Sequence, residues 1–300
     1  MSEPIVLREA DVAMAEIHPE LGGWLTRYAR NLPGVGWVDA LNHDPAVVAR
    51  YPQQMWAGNP VLFPHVSYNV HEGKDGVYCL NGVEYQSPQH GFARRVPWQV
   101  VERLGHSVTL ELSDSELTRP SYPFAFTYRL RYVLEGGRLH WHQTVENRSP
   151  QPLPFSSGFH PYLRVPLVGG LRDRCTVRLP RARRFHPVDK ASAFFDEPFP
   201  AQDLPVSQDV RGTILLGELA TQEAVLRDEA GKVEVCLNFD HSTAYRFLVL
   251  WSPTPDAPFY CIEPWTALPN SMGRSDGELV FLEPGARFEA GLWMEVRTLS

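Results

Sequence analysis

The chain has 300 residues, of which 43% are hydrophobic and 21% are charged, a composition typical of a globular protein. Its net charge of −7 disfavours nucleic-acid binding, which requires a basic surface, and it contains no apolar run of about 18 residues that would predict a transmembrane helix. Residues 1–4 lack the basic start of a signal peptide, so we expect a cytoplasmic protein without membrane contacts.

In chain order, the first predicted element is a short helix at residues 44–51, because Asp44 can cap it and a proline follows at the first helical position. The later segments are rich in Val, Leu, Tyr and Phe and predict short strands. The clearest are residues 107–112, 126–134, 138–145, 233–239 and 246–251. Gly136 and Gly137 predict a hairpin turn between two of them. We therefore predict an all-β fold, a single large antiparallel β-sandwich domain over residues 1–300.

Four cysteines, Cys79, Cys175, Cys236 and Cys261, are far apart and form no metal-binding or redox spacing. Three of them lie in apolar, strand-like segments. We expect reduced core residues, although the sequence leaves one disulfide pair open.

Two segments place an ionisable side chain next to proline and aromatic residues. His160 follows a strand-like segment, and its imidazole titrates near neutrality, so it can donate or accept a proton. Glu263 follows an apolar run and precedes Trp265; burial there would raise its pKa toward neutrality, as a general base requires. The alternatives are a hydrogen-bonded histidine in a turn and a glutamate facing solvent.

A third segment, residues 89–94, places His90 and Arg94 four residues apart. In an extended segment they would share a face and could both donate to ligand oxygens. The alternative is a loop whose arginine forms a salt bridge. Trp98 could stack on a ligand or lie in the core.

Two further histidine-containing pairs each have two possible interpretations. His140 and His142 would share a face of a strand and could ligate a metal, but without a third ligand a solvent-facing pair is favoured. Asp240 and His241 follow a predicted strand and either reach a cleft or form a turn. No nucleotide-binding or zinc-protease motif is present, and we predict neither a metal nor a cofactor.

Four stretches in this order, residues 57–64, 89–94, 158–162 and 261–265, resemble the aldose 1-epimerase (galactose mutarotase) family. The resemblance covers nearly the whole chain. It implies the galactose mutarotase-like supersandwich, an antiparallel β-sandwich, and a cofactor-independent isomerase. The implied reaction interconverts the α and β anomers of a free aldose such as glucose or galactose. A small-molecule sugar is the implied partner, and the oligomeric state is not predicted.

The resemblance also implies roles for individual residues. Glu263 would take the proton from the C1 hydroxyl, and His160 would protonate the ring oxygen. His90 and Arg94 would hold sugar hydroxyls, and Asp240 matches, loosely, an aspartate that binds another hydroxyl.

The chain departs from the family pattern after its first motif, where Tyr68 or Asn69 stands in place of a common arginine. We therefore expect Tyr68 to contact the substrate and to affect sugar preference. Hexose-6-phosphate epimerases carry a basic residue where this chain has residues 55–57. Its lack favours an unphosphorylated sugar, while Arg94 and Arg95 leave the phosphate alternative open.

Two other function classes remain open. A non-catalytic sugar-binding sandwich would need no acid–base pair. A glycoside hydrolase normally requires two carboxylates at the scissile bond, and only Glu263 is a convincing one.

Overall fold

The computed structural model describes residues 3–207, 213–239, 243–274 and 278–299. Most of the described chain is β-strand. The strands of the first half are β1 (Ile5–Glu9), β2 (Ala13–His18), β3 (Trp24–Leu32), β4 (Gly36–Asp39), β5 (Val61–Leu62), β6 (Val70–His71), β7 (Lys74–Asp75), β8 (Val77–Leu80), β9 (Val83–Gln86), β10 (Gln99–Arg103), β11 (Ser107–Ser113), β12 (Phe126–Glu135) and β13 (Arg138–Asn147).

The second half continues with strands of similar length. They are β14 (Leu153–Phe155), β15 (Gly158–Phe159), β16 (Tyr162–Arg164), β17 (Cys175–Leu179), β18 (Ala182–Val188), β19 (Ala193–Phe199), β20 (Gln202–Pro205), β21 (Ile214–Gly217), β22 (Glu223–Asp228), β23 (Val233–Asn238), β24 (Phe247–Trp251), β25 (Phe259–Trp265), β26 (Val280–Leu282) and β27 (Arg287–Thr298). The helices are short: α1 (Pro45–Val48) and the 3₁₀ helices Pro19–Leu21, Ala93–Arg95, Arg172–Arg174 and Ser271–Gly273.

Two large antiparallel sheets form the sandwich. Nine strands pair in the order β10-β11-β12-β13-β27-β23-β22-β17-β20, and seven in the order β19-β18-β21-β24-β25-β15-β5, with β16 also pairing with β25. A four-stranded sheet, β1-β2-β3-β4, packs on their common core. The predicted all-β antiparallel sandwich is confirmed.

Alternating side chains explain why these strands fold this way. Along β12, Tyr128, Leu130 and Tyr132 point inward and are fully buried, while the residues between them face outward. The apolar faces of the two large sheets meet where Trp141 of β13 packs edge-on against Phe159 of β15, at 5.7 Å between ring centroids.

Most local predictions hold, with shifted boundaries. The side chain of Asp44 accepts a hydrogen bond from the N–H of Ala46, as predicted for a cap, but the helix ends at Val48 instead of residue 51. Gly136 and Gly137, both with positive φ, make the predicted hairpin turn. All four cysteines are free thiols, and Cys175, Cys236 and Cys261 are buried. None of the described helices is long and apolar enough to span a membrane.

Candidate functional site

A cleft of about 770 Å³ lies on the face of the eight-stranded sheet that points away from the sandwich core. Its floor crosses three neighbouring strands, because Leu215 of β21 pairs with Val249 of β24, which pairs with Glu263 of β25. Side chains at paired positions share a face of the sheet, so these three lie side by side in the cleft.

Strand β25 contributes side chains to both faces of this sheet. Tyr260 and Ile262 belong to the main core, whereas Glu263 and Trp265 line the cleft. Glu263 was expected to follow an apolar strand; it lies inside the strand, which continues to Trp265. Period-two alternation is what allows one carboxylate to enter the cleft from an otherwise apolar strand.

His160 reaches the cleft from the end of β15, as predicted. Gly158 of this strand packs so closely on β25 that an added Cβ would lie 2.6 Å from the Trp265 Cδ1 atom. The N–H of His160 donates to the Asn59 side-chain oxygen at 3.1 Å. The imidazole stacks on the Tyr162 ring, with centroids 4.5 Å apart and planes 11° apart. Glycine therefore sets the distance between the strands, and Asn59 and Tyr162 fix the orientation of His160.

His160 and Glu263 form a buried pair. The His160 Nε2 and Glu263 Oε2 atoms are 3.3 Å apart, and the residues are 6% and 1% exposed. Burial, with the nearby Arg94 charge, lowers the pKa of His160 to about 3. Burial also raises the pKa of Glu263 well above its usual value, although the Trp265 indole and Arg94 oppose this. Both shifts favour the uncharged forms of the two groups.

His90 also lines the cleft and has a defined tautomer. The backbone N–H of Ser67 donates to the His90 Nδ1 atom at 3.0 Å, so in the neutral imidazole the proton is on Nε2. Burial and the charge of Arg94 lower the pKa of His90 well below 6.5. His90 is therefore a neutral hydrogen-bond donor next to His160, with ring centroids 5.2 Å apart.

Arg94 is buried in the cleft wall, where burial lowers the pKa of its guanidinium to about 10. Its Nη2 donates to the Gln89 carbonyl, while Nε has no hydrogen-bond partner, and none of the described carboxylates forms an ion pair with it. The extended segment expected at residues 89–94 is wrong. His90 and Gly91 both have positive φ, and Arg94 follows in the 3₁₀ helix Ala93–Arg95.

The remaining predicted positions divide into four groups. Tyr68 lines the cleft at its rim and is partly exposed. Trp98 is a core residue whose indole N–H donates to the Ala93 carbonyl, so it does not stack on a ligand in the cleft. Asp240, like His241, lies outside the described residues. His140 and His142 stack on each other with centroids 6.4 Å apart on β13, away from the cleft.

Sequence reasoning missed several cleft residues. Asn59 and Tyr162 lie within the recognised motifs, but nothing in the sequence indicated that they hold His160. The sequence did not assign Trp56 and Trp251 to the cleft, because an isolated tryptophan is equally typical of a hydrophobic core. The position of Trp251 follows from the strand register, since it pairs with Cys261, two residues before Glu263. Trp56 lies in no strand and packs edge-on against Trp251.

Three side chains in the cleft could contact a metal. Donor atoms of His160, Cys261 and Glu263 lie within 4.8 Å of one another, and an exposed group of His71, Glu72 and Glu84 meets the same criterion. Burial raises the pKa of the Cys261 thiol well above its usual value, as it does for Glu263. Metal binding at this buried group requires both groups to be deprotonated, which these raised pKa values oppose.

Known proteins share this fold and sequence pattern. The family model for aldose 1-epimerase matches residues 45–295. Protein LacX (plasmid) of Lactococcus lactis subsp. lactis is 26% identical over 73% of this chain and 77% of its own length. A galactose mutarotase-like protein from Lactobacillus casei has a TM-score of 0.80 at 24% identity, covering 98% of this chain and 100% of its own. A galactose mutarotase related enzyme from Lactobacillus acidophilus has a TM-score of 0.80 at 22% identity, covering 99% and 98%. The chain therefore belongs to the aldose 1-epimerase family, as its four motifs predicted.

Proposed function

We propose that this protein interconverts the α and β anomers of a free aldose such as glucose or galactose by opening and closing the sugar ring. The observation that carries the proposal is the buried His160–Glu263 pair, with 3.3 Å between Nε2 and Oε2 in a cleft large enough for a sugar. Ring opening requires a base at the C1 hydroxyl and an acid at the ring oxygen. One imidazole and one carboxyl group that share a single proton meet this requirement.

In the ring-opening direction, Glu263 accepts the proton of the C1 hydroxyl while protonated His160 donates to the ring oxygen. The C1–C2 bond then rotates, and the other face of the aldehyde turns toward the former ring oxygen. For closure, protonated Glu263 donates to the carbonyl oxygen and neutral His160 takes the proton of the C5 hydroxyl. Burial lowers the pKa of His160 and raises the pKa of Glu263, so both shifts favour the uncharged pair that ring opening produces.

The other residues of the cleft hold the sugar. His90 donates from Nε2, and Arg94 donates from a guanidinium that retains free N–H groups. Both groups can therefore bind hydroxyl oxygens without first breaking a hydrogen bond. Tyr68 contributes its hydroxyl group at the rim, and the proposed role of Asp240 rests on the sequence motif alone.

The test follows the optical rotation of freshly dissolved α-D-glucose and α-D-galactose with and without the purified protein. We expect accelerated exchange in the wild type and a loss of about 10²–10⁴-fold in His160→Ala, because one proton-transfer group is removed. His106→Ala, at an exposed histidine outside the cleft, is the matched control and should keep the wild-type rate. Wild-type exchange in His160→Ala would contradict the proposed role of this residue. Tight binding without exchange would favour the non-catalytic alternative.

A hexose 6-phosphate is the second candidate substrate, and one observation favours it. Arg94 and Arg95 both line the cleft, and neither forms an ion pair with a carboxylate in the part of the chain that is described. Guanidinium groups bind phosphate well. Measuring exchange in glucose 6-phosphate alongside glucose decides between the two substrates, because Arg95→Gln should slow only the phosphorylated sugar if its phosphate is bound there.

A further inference from the structure

The cleft extends well beyond the His160–Glu263 pair along a series of aromatic rings. Trp251 lies next to His160, with ring centroids 6.1 Å apart, and Trp56 lies next to Trp251, with centroids 5.7 Å apart. Each step is close to the width of one pyranose ring. Trp251 thus connects Trp56 to the proton-transfer pair through successive ring contacts.

Trp56 is unusual among the aromatic side chains of the cleft because it is 46% exposed. It is nevertheless held in place, since it meets both Trp251 and Phe259 edge-to-face, at 70–73° between planes. Its carbonyl accepts a hydrogen bond from the Asn42 side chain. A fixed, exposed indole offers a large apolar face at little entropic cost, the arrangement that packs against the C–H face of a sugar.

Hydrogen-bond donors accompany this ring. Gln54, two residues before Trp56, and Arg95 also line the cleft, and Arg95 reaches toward the carbonyl of Pro52, in the segment that carries Trp56, at 3.5 Å. An amide and a guanidinium beside an aromatic face are suited to a ring that presents hydroxyls at its edge and C–H groups on its face.

The size of the cleft is consistent with this extension. A volume of about 770 Å³ lies within the range of roughly 300–1,000 Å³ that accommodates drug-sized ligands. A single pyranose is considerably smaller. The His160–Glu263 end therefore leaves room for a second ring.

We propose that the outer part of the cleft, formed by Gln54, Trp56 and Arg95, is a subsite for the second ring of a reducing disaccharide. The reducing-end ring places its C1 at His160 and Glu263, and the next ring stacks on Trp56. This inference rests on the proposed function for the position of the reducing end. The stacking contact itself does not require turnover.

The test compares glucose with maltose, cellobiose and lactose in two measurements. Anomer exchange is followed by polarimetry, and binding is followed by saturation-transfer NMR, which needs no catalysis. We expect at least one disaccharide to bind about three- to tenfold more tightly than glucose, as an added stacking contact provides. Trp56→Ala should abolish this advantage, and Trp56→Phe should keep part of it.

Trp37→Ala is the matched control, because Trp37 is equally exposed, at 45%, but lies outside the cleft. It should keep the full disaccharide advantage. An advantage that survives in Trp56→Ala, or no advantage in the wild type, would overturn the subsite. If glucose 6-phosphate, and no disaccharide, binds more tightly than glucose, and only Arg95→Gln removes this difference, the outer cleft binds phosphate and the proposal is wrong. A disaccharide advantage in binding, without exchange of any sugar, would uphold the subsite and refute the proposed function.

Discussion

Two clusters of buried polar side chains differ in how completely their hydrogen bonds are satisfied. The core cluster, Tyr128, Gln143, Ser157 and Tyr245, lies between the two large sheets. The Gln143 carbonyl accepts from the hydroxyls of Tyr128 and Ser157, and its amide donates to Tyr245, all at 2.7–2.8 Å. Each member thus bonds to another, which is how a sandwich core tolerates polar groups.

The cleft cluster, Asn59, Arg94, His160 and Glu263, is also buried, but its hydrogen bonds are not all satisfied. The Asn59 Nδ2, Arg94 Nε and His160 Nδ1 atoms have no hydrogen-bond partner among the described groups. Glu263 Oε2 approaches His160 without hydrogen-bond alignment. Buried groups of this kind cost stability, so the contrast indicates that the core cluster serves the fold and the cleft cluster serves a ligand.

The largest expected effect concerns the coupling within the cleft cluster. His160→Ala and Glu263→Gln should each slow anomer exchange by about 10²–10⁴-fold. Because the two groups act together in one proton exchange with the sugar, the double variant should be no slower than the worse single variant. Polarimetry on the three variants measures this. Losses that multiply in the double variant would show that the two side chains act independently.

Acid should destabilise the protein through its buried histidines. Burial lowers the pKa of His65 to about 4, of His160 to about 3, and of His90 well below 6.5, so below pH 6.5 the unfolded chain binds protons that the native chain does not. Stability therefore falls as the pH falls. Glu263, with its raised pKa, works in the opposite direction.

Each histidine that stays neutral in the native state corresponds to about 1.4 kcal/mol of stability per pH unit below the unfolded pKa. Urea unfolding at pH 6 and pH 5 measures the change. His160→Ala should flatten the dependence, because it removes one of these groups, and His106→Ala should leave it unchanged. A stability that is constant over this range would contradict neutral buried histidines.

Gln143→Leu tests the core cluster. It leaves three buried hydroxyls without their partner, and we expect a loss of about 2–4 kcal/mol of unfolding free energy. Exchange per folded molecule should fall less than tenfold, because no cleft group is removed. Gln99→Leu, at an exposed glutamine on the edge strand β10, is the control, with an expected change within about 0.5 kcal/mol. Equal stability of the two variants would refute the structural role of Gln143.

Gly158 lies between Ser157 of the core cluster and His160 of the cleft cluster in the chain. In Gly158→Ala, the added Cβ would lie 2.6 Å from Trp265 Cδ1 and 2.8 Å from the Pro264 carbonyl oxygen. Separating β15 from β25 should cost about 1–3 kcal/mol of stability and slow exchange at least tenfold, because His160 moves away from Glu263. Gly105→Ala, where no atom lies within 4 Å of the added Cβ, should change neither. Unaltered exchange in Gly158→Ala would show that the spacing between β15 and β25 does not determine the distance between His160 and Glu263.

The sequence alone predicted the all-β fold, because turn residues and alternating apolar positions such as those of β12 and β13 are local signals. It also identified His160, Glu263, His90 and Arg94 as candidates, and all four line one cleft. It did not predict that Glu263 lies inside a strand or that residues 90–94 turn instead of extending. Those features depend on positive φ at His90 and on contacts between strands that are distant in the chain. Trp56 could not be assigned to the cleft for the same reason, since its neighbours Trp251 and Phe259 are about two hundred residues away.

The most direct test of the contrast between the clusters is to measure exchange and urea unfolding on Glu263→Gln. If the cleft cluster is retained for a ligand, exchange falls at least about a hundredfold, while the unfolding midpoint stays at or above that of the wild type. A normal exchange rate would contradict this prediction. So would a large loss of stability in which each folded molecule keeps its activity, because Glu263 would then serve the fold.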